Sequence, residues 1–367
     1  MNKTTIGFIG LGLIGGSMAK ALRRTHPDFI IRAFDSNREN LTAALRDGIL
    51  NHAHDSIDAS FADCRIIFLC APVSINIEKL KDLKTIIDKN CILTDVGSVK
   101  SSIHGAVITY DLEENFIGGH PMTGSEKTGY PNANGHLFEN AYYIITPTEK
   151  SNPVQVDFLI NLLKETGTLP LVLDYHEHDF ITAAISHLPH IIAYTLVNLV
   201  RGSDNEEGLM QMLAAGGFKD ITRIASSSPV MWQQICIENN TYIQKALETY
   251  MTGLTKVNRA IANHNTDFLT QYFNQAKTYR DNIPLARAKG YIKPLYEIYV
   301  DIIDEAGAIA TLSTILASNS ISIKNIGIVH NREFQEGALR IEFDAAGASG
   351  KAARILRKFH YTVHERC

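Results

Sequence analysis

Short apolar runs alternate with amphipathic stretches over the first half of the chain. Several runs, such as IIFLCA at 66–71, are apolar without interruption, as expected for strands buried on both faces of a sheet. Strands that alternate with helices predict a mostly parallel, doubly wound α/β sheet over residues 1–174. The predicted strands are Thr4–Ile9, Ile30–Asp35, Arg65–Ala71, Cys91–Asp95, Phe116–Gly118, Tyr142–Thr146 and Leu169–Leu173.

Helical periodicity takes over after Asp174. The first predicted helix is apolar on nearly every side, and Pro189 inside it predicts a kink or break. Because so apolar a helix needs partners all round, residues 175–282 are predicted to form an all-α domain that packs against a second copy, giving a homodimer. The predicted helices are 175–202, 205–215, 218–225, 229–239, 240–264 and 266–280.

The last part of the chain has a third pattern. Residues 283–294 contain two prolines, a glycine and several cations, which predicts a linker. Residues 295–367 then follow the order strand, helix, strand, strand, helix, strand. This order predicts a ferredoxin-like βαββαβ domain.

Composition narrows the class of protein. The chain has 367 residues and a net charge of −4, which gives no electrostatic reason to expect nucleic acid or an anionic membrane as a partner. Its five cysteines are scattered, which favours reduced thiols in the cytoplasm over a disulfide framework. We find neither a signal peptide nor an uninterrupted apolar stretch of about 18 residues, so no membrane span is expected.

A glycine-rich turn between the first strand and the first helix is the strongest local motif. Gly10, Gly12 and Gly15 fit the GxGxxG pattern. The first glycine turns the chain, the second admits a pyrophosphate and the third lets the helix pack on the strand. The helix that opens at Leu13 and Ile14 directs its free N–H groups at the phosphates.

An acidic residue selects among dinucleotides. Asp35 ends the second predicted strand, 20 residues after Gly15, where a carboxylate accepts hydrogen bonds from the ribose 2′-hydroxyl. The sequence therefore predicts a Rossmann-like domain that binds NAD rather than NADP, although Arg38 could weaken that preference. Ala71 and Pro72, at the end of the third predicted strand, are also assigned to the cofactor site.

Candidate catalytic residues follow two further strands. Ser98 lies in DVGSVK and His120 in GGHPMTGSEKTG, and both segments are expected at the carboxyl edge of the sheet where ligands bind. Imidazole titrates near neutral pH, so His120 suits proton transfer from a hydroxyl group. Whether Lys100 or Lys127 touches cofactor or substrate stays open.

The helical region supplies further candidates. His187 and His190 lie three residues apart, but no third ligand accompanies them, so we expect no metal and assign His190 to the substrate site. Asp220 and Arg223 have the same spacing. They form either a solvated ion pair or an arginine held rigid to bind a carboxylate, and spacing alone favours neither.

Taken together, the motifs resemble one enzyme family. GLGLIGGS, DVGSVK, GGHPMTGSEKTG, SHLPH, GGFKDITRIASSSPVMW and the βαββαβ unit occur in the order found in prephenate dehydrogenases that carry a C-terminal ACT domain. The resemblance spans essentially the whole chain. It implies that NAD+ oxidises prephenate to 4-hydroxyphenylpyruvate with release of CO2, in tyrosine biosynthesis.

The resemblance also implies residue roles. His120 is similar to the residue that deprotonates the C4 hydroxyl, Ser98 to the serine that assists there, and His190 to a histidine near the pyruvyl side chain. Arg223 is similar to the arginine that binds a substrate carboxylate, with Asp220 orienting it. The other implied substrate residues are Gly216, Glu126 and Ser125, the last at a position where threonine is common.

An ACT domain implies regulation. Gly307, which leads into the first helix of the C-terminal unit, and Asn325, in its second strand, are the candidate effector residues. Tyrosine is the expected effector, by analogy with amino-acid sensing in such domains.

Three alternatives stay open at this point. Arogenate dehydrogenase (cyclohexadienyl dehydrogenase) differs only in accepting an amino group where prephenate has a keto group. A non-catalytic sensor of NAD and an amino acid would have degraded catalytic positions, and His120, Ser98 and Arg223 are all present. A β-hydroxyacid dehydrogenase would use a catalytic lysine in the helical region and would lack HPMTGSEKTG.

Overall fold

The chain divides into two compact units. A computed structural model describes residues 4–124, 127–283, 296–302, 305–329, 337–343 and 346–365. The first unit is Met1–Leu285 and the second is Ala286–Cys367.

A five-stranded parallel sheet forms the first layer of the larger unit, in the order β3-β2-β1-β4-β5. Its strands are β1 (Thr5–Ile9), β2 (Ile30–Phe34), β3 (His52–His54), β4 (Ile66–Leu69) and β5 (Ile92–Asp95). The connecting helices are α1 (Leu13–Thr25), α2 (Arg38–Arg46), α3 (Val73–Lys84) and α4 (Ser101–Thr109). Every residue of β1, β4 and β5 is buried, which confirms the predicted doubly wound sheet. The sequence missed β3 because this edge strand is short and largely exposed.

A second, three-stranded sheet adjoins β5. It contains β6 (Ile117–Pro121), β7 (Tyr142–Pro147) and β8 (Leu169–Val172), with helix α5 (Pro153–Glu165) between the last two. Phe116, just before β6, forms a parallel bridge with Leu93 of β5. The β6–β7 pair is antiparallel. The described part of their connection contains a short 3-10 turn and no α-helix to carry the chain back for a parallel pair.

Residues 175–283, all of which the structure describes, contain helices joined by turns and no strand, so the predicted all-α region is confirmed. The helices are α6 (Tyr175–Thr182), α7 (Leu188–Ser203), α8 (Leu209–Leu213), α9 (Gly216–Thr222), α10 (Pro229–Glu238), α11 (Asn240–Ala262) and α12 (Thr266–Asp281). Helix α10 has a side-chain cap at its N-terminus, where Ser228 accepts a hydrogen bond from the Met231 N–H and Pro229 occupies the first turn.

The expected kink at Pro189 takes a different form. Residues Ala183–His187 form one turn of π-helix between α6 and α7, with the Leu188 N–H donating to the carbonyl of Ala183. A proline lacks the N–H that an α-helix interior would use. The helix therefore changes type just before Pro189 instead of breaking.

The helical region exposes much apolar surface. Tyr175–Ser203 is long and apolar enough, by length and composition alone, to cross a membrane. Ile185, Leu199 and Leu213 are 62%, 63% and 73% exposed. Apolar side chains in such numbers on one region indicate a surface that another molecule covers.

The smaller unit is a four-stranded antiparallel sheet with two helices. The strands β9 (Tyr296–Ile302), β10 (Asn325–Val329), β11 (Gly337–Phe343) and β12 (Val363–Glu365) lie in the order β10-β11-β9-β12. The helices are α13 (Ala308–Ser318) and α14 (Ala346–Lys358), and their apolar faces bury Leu316 and Leu356 against the sheet. This arrangement confirms the predicted βαββαβ fold. All of the predicted linker except Ile283 lies outside the described residues.

Candidate active site

The turn between β1 and α1, Gly10–Gly15, is called the cofactor turn below. Gly10 has φ +93°, and a methyl group there would come within 2.9 Å of the Ala71 backbone nitrogen. A methyl group on Gly15 would overlap the carbonyl oxygen of Gly10 and lie 2.9 Å from Cys70 Cβ. At Gly12 it would meet no atom within 4 Å. Neighbouring atoms thus leave no room for a side chain at Gly10 or Gly15, whereas open space remains at Gly12.

This geometry fits a dinucleotide. Helix α1 begins at Leu13, with no acidic residue in its first turn and no side chain capping it, so its N-terminal N–H groups are available to a phosphate. Open space at Gly12 is what the close approach of a pyrophosphate requires. Gly10, Gly12, Leu13, Ile14 and Gly15 are the residues that would hold it.

Asp35 lies beside the cofactor turn. Its carboxylate accepts hydrogen bonds from the N–H groups of Leu11, at 2.5 Å, and Asn37, at 2.7 Å. Each carboxylate oxygen has a second lone pair, which leaves Asp35 able to accept from a ribose hydroxyl. Arg38 forms an exposed ion pair with Asp55 at 2.9 Å. Arg38, the cation that could bind the 2′-phosphate of NADP, is thus already paired with a carboxylate.

A buried asparagine holds the loop after β4. The Asn76 side chain accepts from the Ala71 N–H at 3.2 Å and donates to the carbonyl oxygens of Ala71 and Leu69, at 2.8 and 3.2 Å. Three hydrogen bonds from one fully buried side chain fix the loop that carries Ala71 and Pro72. Because Ala71 also packs against Gly10, the two predicted parts of the cofactor site are adjacent.

A buried ion pair lies beneath the turn after β5. Lys100 and Asp95 are both fully buried, and the Lys100 ammonium contacts Asp95 Oδ2. Asp95 also accepts from the N–H groups of Gly97, at 2.9 Å, and Gly119, at 3.1 Å. The pair therefore shapes the turn that carries Ser98 and joins the end of β5 to β6, which shows that Lys100 has a structural role.

The candidate base, His120, lies on β6 and forms a chain of hydrogen bonds. Its Nδ1 lies 2.8 Å from His178 Nε2, and His178 Nδ1 lies 2.8 Å from Asp179 Oδ1. Asp179 also accepts from the N–H groups of Lys100, at 2.8 Å, and Ser101, at 2.7 Å, at the start of α4. We call Asp95, Lys100, His120, His178 and Asp179 the polar network.

Burial dominates the electrostatics of this network. It lowers the pKa of His120 well below the ordinary value, and His178 and Lys100 lower it further. Burial also lowers the pKa of His178, more than the hydrogen bond to Asp179 raises it. For Asp179, hydrogen bonds from His178 and Ser101 outweigh burial and leave its pKa below the ordinary value. Both histidines are therefore neutral near pH 7, while Asp179 is ionised.

Two candidates from the helical region lie near each other. His190 stacks on Trp232 with ring centroids 3.7 Å apart, and its Nδ1 lies 2.9 Å from the Ser186 carbonyl oxygen. Burial lowers the pKa of His190, and the Arg223 guanidinium lowers it further, which places that cation close by.

The remaining predicted residues have varied positions. Ser98 is half-buried in the turn after β5, and Gly216 begins α9. Arg223 starts a 3-10 turn directly after α9. Asp220 and Arg223 are both exposed, and no ion pair between them is present in the described structure, so the role of Asp220 stays a prediction. Ser125 and Glu126 lie outside the described residues.

Comparison with known proteins identifies the family. Residues 18–170 match the sequence model for "Prephenate dehydrogenase, nucleotide-binding domain", and residues 174–275 match "Prephenate dehydrogenase, dimerization domain". Prephenate dehydrogenase of Bacillus subtilis is 40% identical over 94% of this chain and 93% of its own length. The chain belongs to the prephenate dehydrogenase family.

Solved structures of similar proteins agree with this assignment. Prephenate dehydrogenase from A. aeolicus, in complex with hydroxyphenyl propionate and NAD+, has a TM-score of 0.73 and 31% identity, covering 77% of this chain and 99% of that one. Synechocystis arogenate dehydrogenase has a TM-score of 0.69 and 30% identity, covering 77% and 100%. This member of the prephenate dehydrogenase family is an NAD-dependent oxidoreductase, which decides against the β-hydroxyacid dehydrogenase and non-catalytic sensor alternatives.

Sequence reasoning missed several residues of this prephenate dehydrogenase family site. Asn76, His178 and Asp179 were not singled out, and Lys100 was left without a role. Their partners lie far away in sequence, and His178 and Asp179 occur in the polar stretch HEHD, which looks like a solvated helix start. An Asp before an apolar helix is a common N-cap, and that signal was available here. It applies to Asp174, which caps α6, and not to Asp179.

Proposed function

We propose that the chain catalyses the NAD-dependent oxidative decarboxylation of prephenate to 4-hydroxyphenylpyruvate. The observation that carries this proposal is His120. It is neutral, its Nδ1 is hydrogen-bonded to His178, and it lies on β6 directly after Gly119, whose N–H donates to Asp95 at the carboxyl end of β5. NAD, when bound, supplies the hydride acceptor. The other ring nitrogen of His120 then accepts the proton from the C4 hydroxyl.

The remaining residues orient the substrate. As C4 loses a hydride and its hydroxyl loses a proton, the ring carboxylate departs as CO2 and its electron pair completes the aromatic ring. The phenolate oxygen then takes the proton back from His120 to give 4-hydroxyphenylpyruvate. We assign Ser98 to the hydroxyl, Arg223 to a substrate carboxylate and His190 to the pyruvyl side chain. An arginine fork suits a carboxylate because it donates two parallel hydrogen bonds. Aromatisation and CO2 release drive the step, so positioning and proton acceptance are the enzyme's main tasks.

A direct assay tests this proposal. Purified protein with NAD and prephenate should form NADH, measured by absorbance. His120→Asn should lower kcat by roughly 10²- to 10⁴-fold with little change in KM for prephenate. Arg223→Ala should chiefly raise that KM, by about 10- to 100-fold, because a charge-assisted pair is lost. If both variants keep near-normal kcat/KM, the site assignment is wrong.

A second candidate substrate is arogenate. The likeness to Synechocystis arogenate dehydrogenase favours testing it, because the two substrates differ only on the side chain. Values of kcat/KM for prephenate and arogenate, measured on one preparation, decide between them. A ratio above unity for prephenate supports the first proposal.

We also propose that the chain works as a homodimer in the cytoplasm. Its helical region matches a dimerization domain and exposes Ile185, Leu199 and Leu213, whose burial against a second copy would remove apolar surface from water. Its free cysteines suit a reducing compartment. Sedimentation should give twice the mass of one chain, and a monomer at micromolar concentration would contradict the proposal.

Tyrosine is the proposed effector of the C-terminal unit, which we interpret as an ACT domain. Gly307 has φ +94° and caps α13, where its carbonyl accepts from the Thr311 N–H at 2.8 Å. Asn325 begins the edge strand β10. Both candidate residues are exposed, as an effector site requires. Calorimetry should detect tyrosine binding to the intact enzyme, with phenylalanine as the control, and no heat of binding would remove the proposal.

A further inference from the structure

The hydrogen-bond chain from Asp179 to His120 determines where protons lie on two imidazole rings. Asp179 Oδ1 lies 2.8 Å from His178 Nδ1, and His178 Nε2 lies 2.8 Å from His120 Nδ1. His178 and Asp179 are 1% and 0% exposed. Water therefore cannot easily replace either partner, and the protons must follow the partners present.

Asp179 fixes the first proton. It already accepts the N–H groups of Lys100 and Ser101, which can only donate, so it is an ionised acceptor. The His178 Nδ1 must then carry a hydrogen that it donates to Asp179. In a neutral imidazole the other nitrogen is an acceptor, which leaves His178 Nε2 with a lone pair.

The second proton follows from the first. Since His178 Nε2 accepts, His120 Nδ1 must carry the hydrogen that it donates. The Nε2 of His120 is then the unprotonated nitrogen. This is the form that a general base needs on the side facing a substrate hydroxyl.

Burial and the surrounding charges keep His120 and His178 neutral. His120 faces His178 on α6, Lys100 in the turn before α4, and His187 in the π-helical turn. His178 faces Asp179, Lys100 and Asp95. A proton added to His178 would place a second buried cation near Lys100, whose ammonium already contacts Asp95. Burial, together with Lys100, outweighs Asp179 and Asp95 and holds the pKa of His178 below its ordinary value, so His178 is neutral.

We propose that His178, held by Asp179, is a positioning residue that keeps His120 in the tautomer with an unprotonated Nε2 and fixes the orientation of its ring. This inference rests on the proposed role of His120 as the base. When His120 Nε2 takes the hydroxyl proton, its Nδ1–H continues to donate to His178, and the His178 Nδ1–H continues to donate to Asp179. No proton moves to Asp179, whose negative charge stabilises the new cation through the chain.

Imidazole nitrogen NMR on the full chain tests the tautomers without any assay of activity. The His120 signals, assigned by their loss in His120→Asn, should show hydrogen on Nδ1 and none on Nε2 at neutral pH. In His178→Phe, which fills the space but accepts no hydrogen bond, the two tautomers of His120 should become mixed. Hydrogen on His120 Nε2 in the unmodified protein would overturn the proposal.

Kinetics provide the second test. His178→Phe should lower kcat about 100-fold with little change in KM for prephenate, because a misoriented or wrongly protonated base fails in the chemical step. His178→Gln should recover most of that loss, since its amide oxygen can accept from His120 Nδ1–H. His176→Gln is the matched control, because His176 lies on the same helix, is exposed and contacts only Tyr242 and Tyr175 among the described rings. It should leave kcat unchanged.

The outcomes separate this inference from the proposed function. No NADH from prephenate with the unmodified protein would refute the function, whatever the NMR shows. An active unmodified protein whose His178→Phe variant keeps normal kcat would refute the positioning role alone. Equal losses in His178→Phe and His178→Gln would also refute it, because they would show that the position serves packing rather than hydrogen-bond acceptance.

Discussion

The cofactor turn and the polar network lie at the same edge of the sheet, but they are built differently. The cofactor turn consists of six consecutive residues, and its shape comes from the absence of side chains at Gly10, Gly12 and Gly15. The polar network brings together charged and polar groups from β5, the start of α4, β6 and α6, and every member except half-buried His120 is fully or almost fully buried. A local motif thus holds the cofactor, whereas long-range contacts set the chemistry.

This difference leads to different costs of substitution. A change in the cofactor turn should alter ligand binding or local packing. A change in the polar network should leave a buried charge or hydrogen-bonding group unpaired, which costs more.

The largest effect is expected at the buried ion pair. Lys100→Met should lower the free energy of unfolding by about 3–5 kcal/mol, because Asp95 would remain buried without its cation. Urea denaturation measures the change. Lys84→Met is the matched control, since Lys84 pairs with Asp111 at 3.3 Å on the surface and should contribute less than about 1 kcal/mol. Similar losses of unfolding free energy in Lys100→Met and Lys84→Met would contradict the expectation that the buried pair contributes more than the surface pair.

A pair of glycine variants separates packing from binding within the cofactor turn. Gly15→Ala should destabilise the protein by about 1–3 kcal/mol, because its methyl group would overlap the Gly10 carbonyl oxygen. Gly12→Ala should fold with near-normal stability and bind NAD more weakly, because its methyl group enters only the open space. Thermal unfolding and NAD titration measure both properties. Unchanged NAD affinity in Gly12→Ala would show that the pyrophosphate does not approach there.

Buried histidines near the polar network should make stability depend on pH. Burial, and after it the Lys100 cation, lower the pKa of His104 to about 3. Unfolding restores a pKa of about 6.5, so the unfolded chain binds the proton first as pH falls. The stabilising contribution is therefore complete above about pH 6.5 and declines toward pH 3, by about 1.4 kcal/mol per pH unit for one such group.

Comparison with a variant isolates that contribution. His104→Gln removes the titrating group, so its free energy of unfolding should fall less steeply between pH 6 and pH 4 than that of the unmodified protein, by about 1.4 kcal/mol per pH unit. Urea denaturation at a series of pH values supplies both curves. Parallel curves would show that His104 is not the group responsible.

The smallest effect is expected at Asp35. Asp35→Asn keeps an acceptor for the Leu11 N–H but removes the negative charge, so the preference for NAD over NADP should fall by about 10-fold. Asp55→Asn, which releases Arg38 from its surface ion pair, should change the preference less. Values of kcat/KM with each cofactor measure both. No change in Asp35→Asn would remove Asp35 from the specificity site.

The same contrast explains what the sequence could predict. The parallel strands, the helical region and the βαββαβ unit follow from periodicity within short windows, and the cofactor turn follows from the spacing of three glycines. His120 could be proposed because a strand precedes it. The antiparallel β6–β7 pair could not be predicted, since strand direction depends on a connection without a periodic pattern.

Partners in the polar network could not be predicted for a related reason. His178 is 58 residues from His120, and Asp179 is 78 residues from Ser101. Nothing in the local pattern at 175–179 distinguishes a buried dyad from a solvated helix start. Only the packing of α6 against α4 and against β7, the strand paired with β6, makes these residues neighbours.

The π-helical turn at Ala183–His187 contains one residue more than a turn of α-helix, and this residue sets the direction in which the rest of the helix faces. One extra residue in a turn rotates everything that follows by about 100° relative to an uninterrupted α-helix. In this register His187 Nδ1 lies 3.0 Å from Asn239 Nδ2, and His190 stacks on Trp232. The number of residues in this segment therefore matters as much as their identity. A single deletion here would leave His190 in the chain but turn the second half of the helix away from the site.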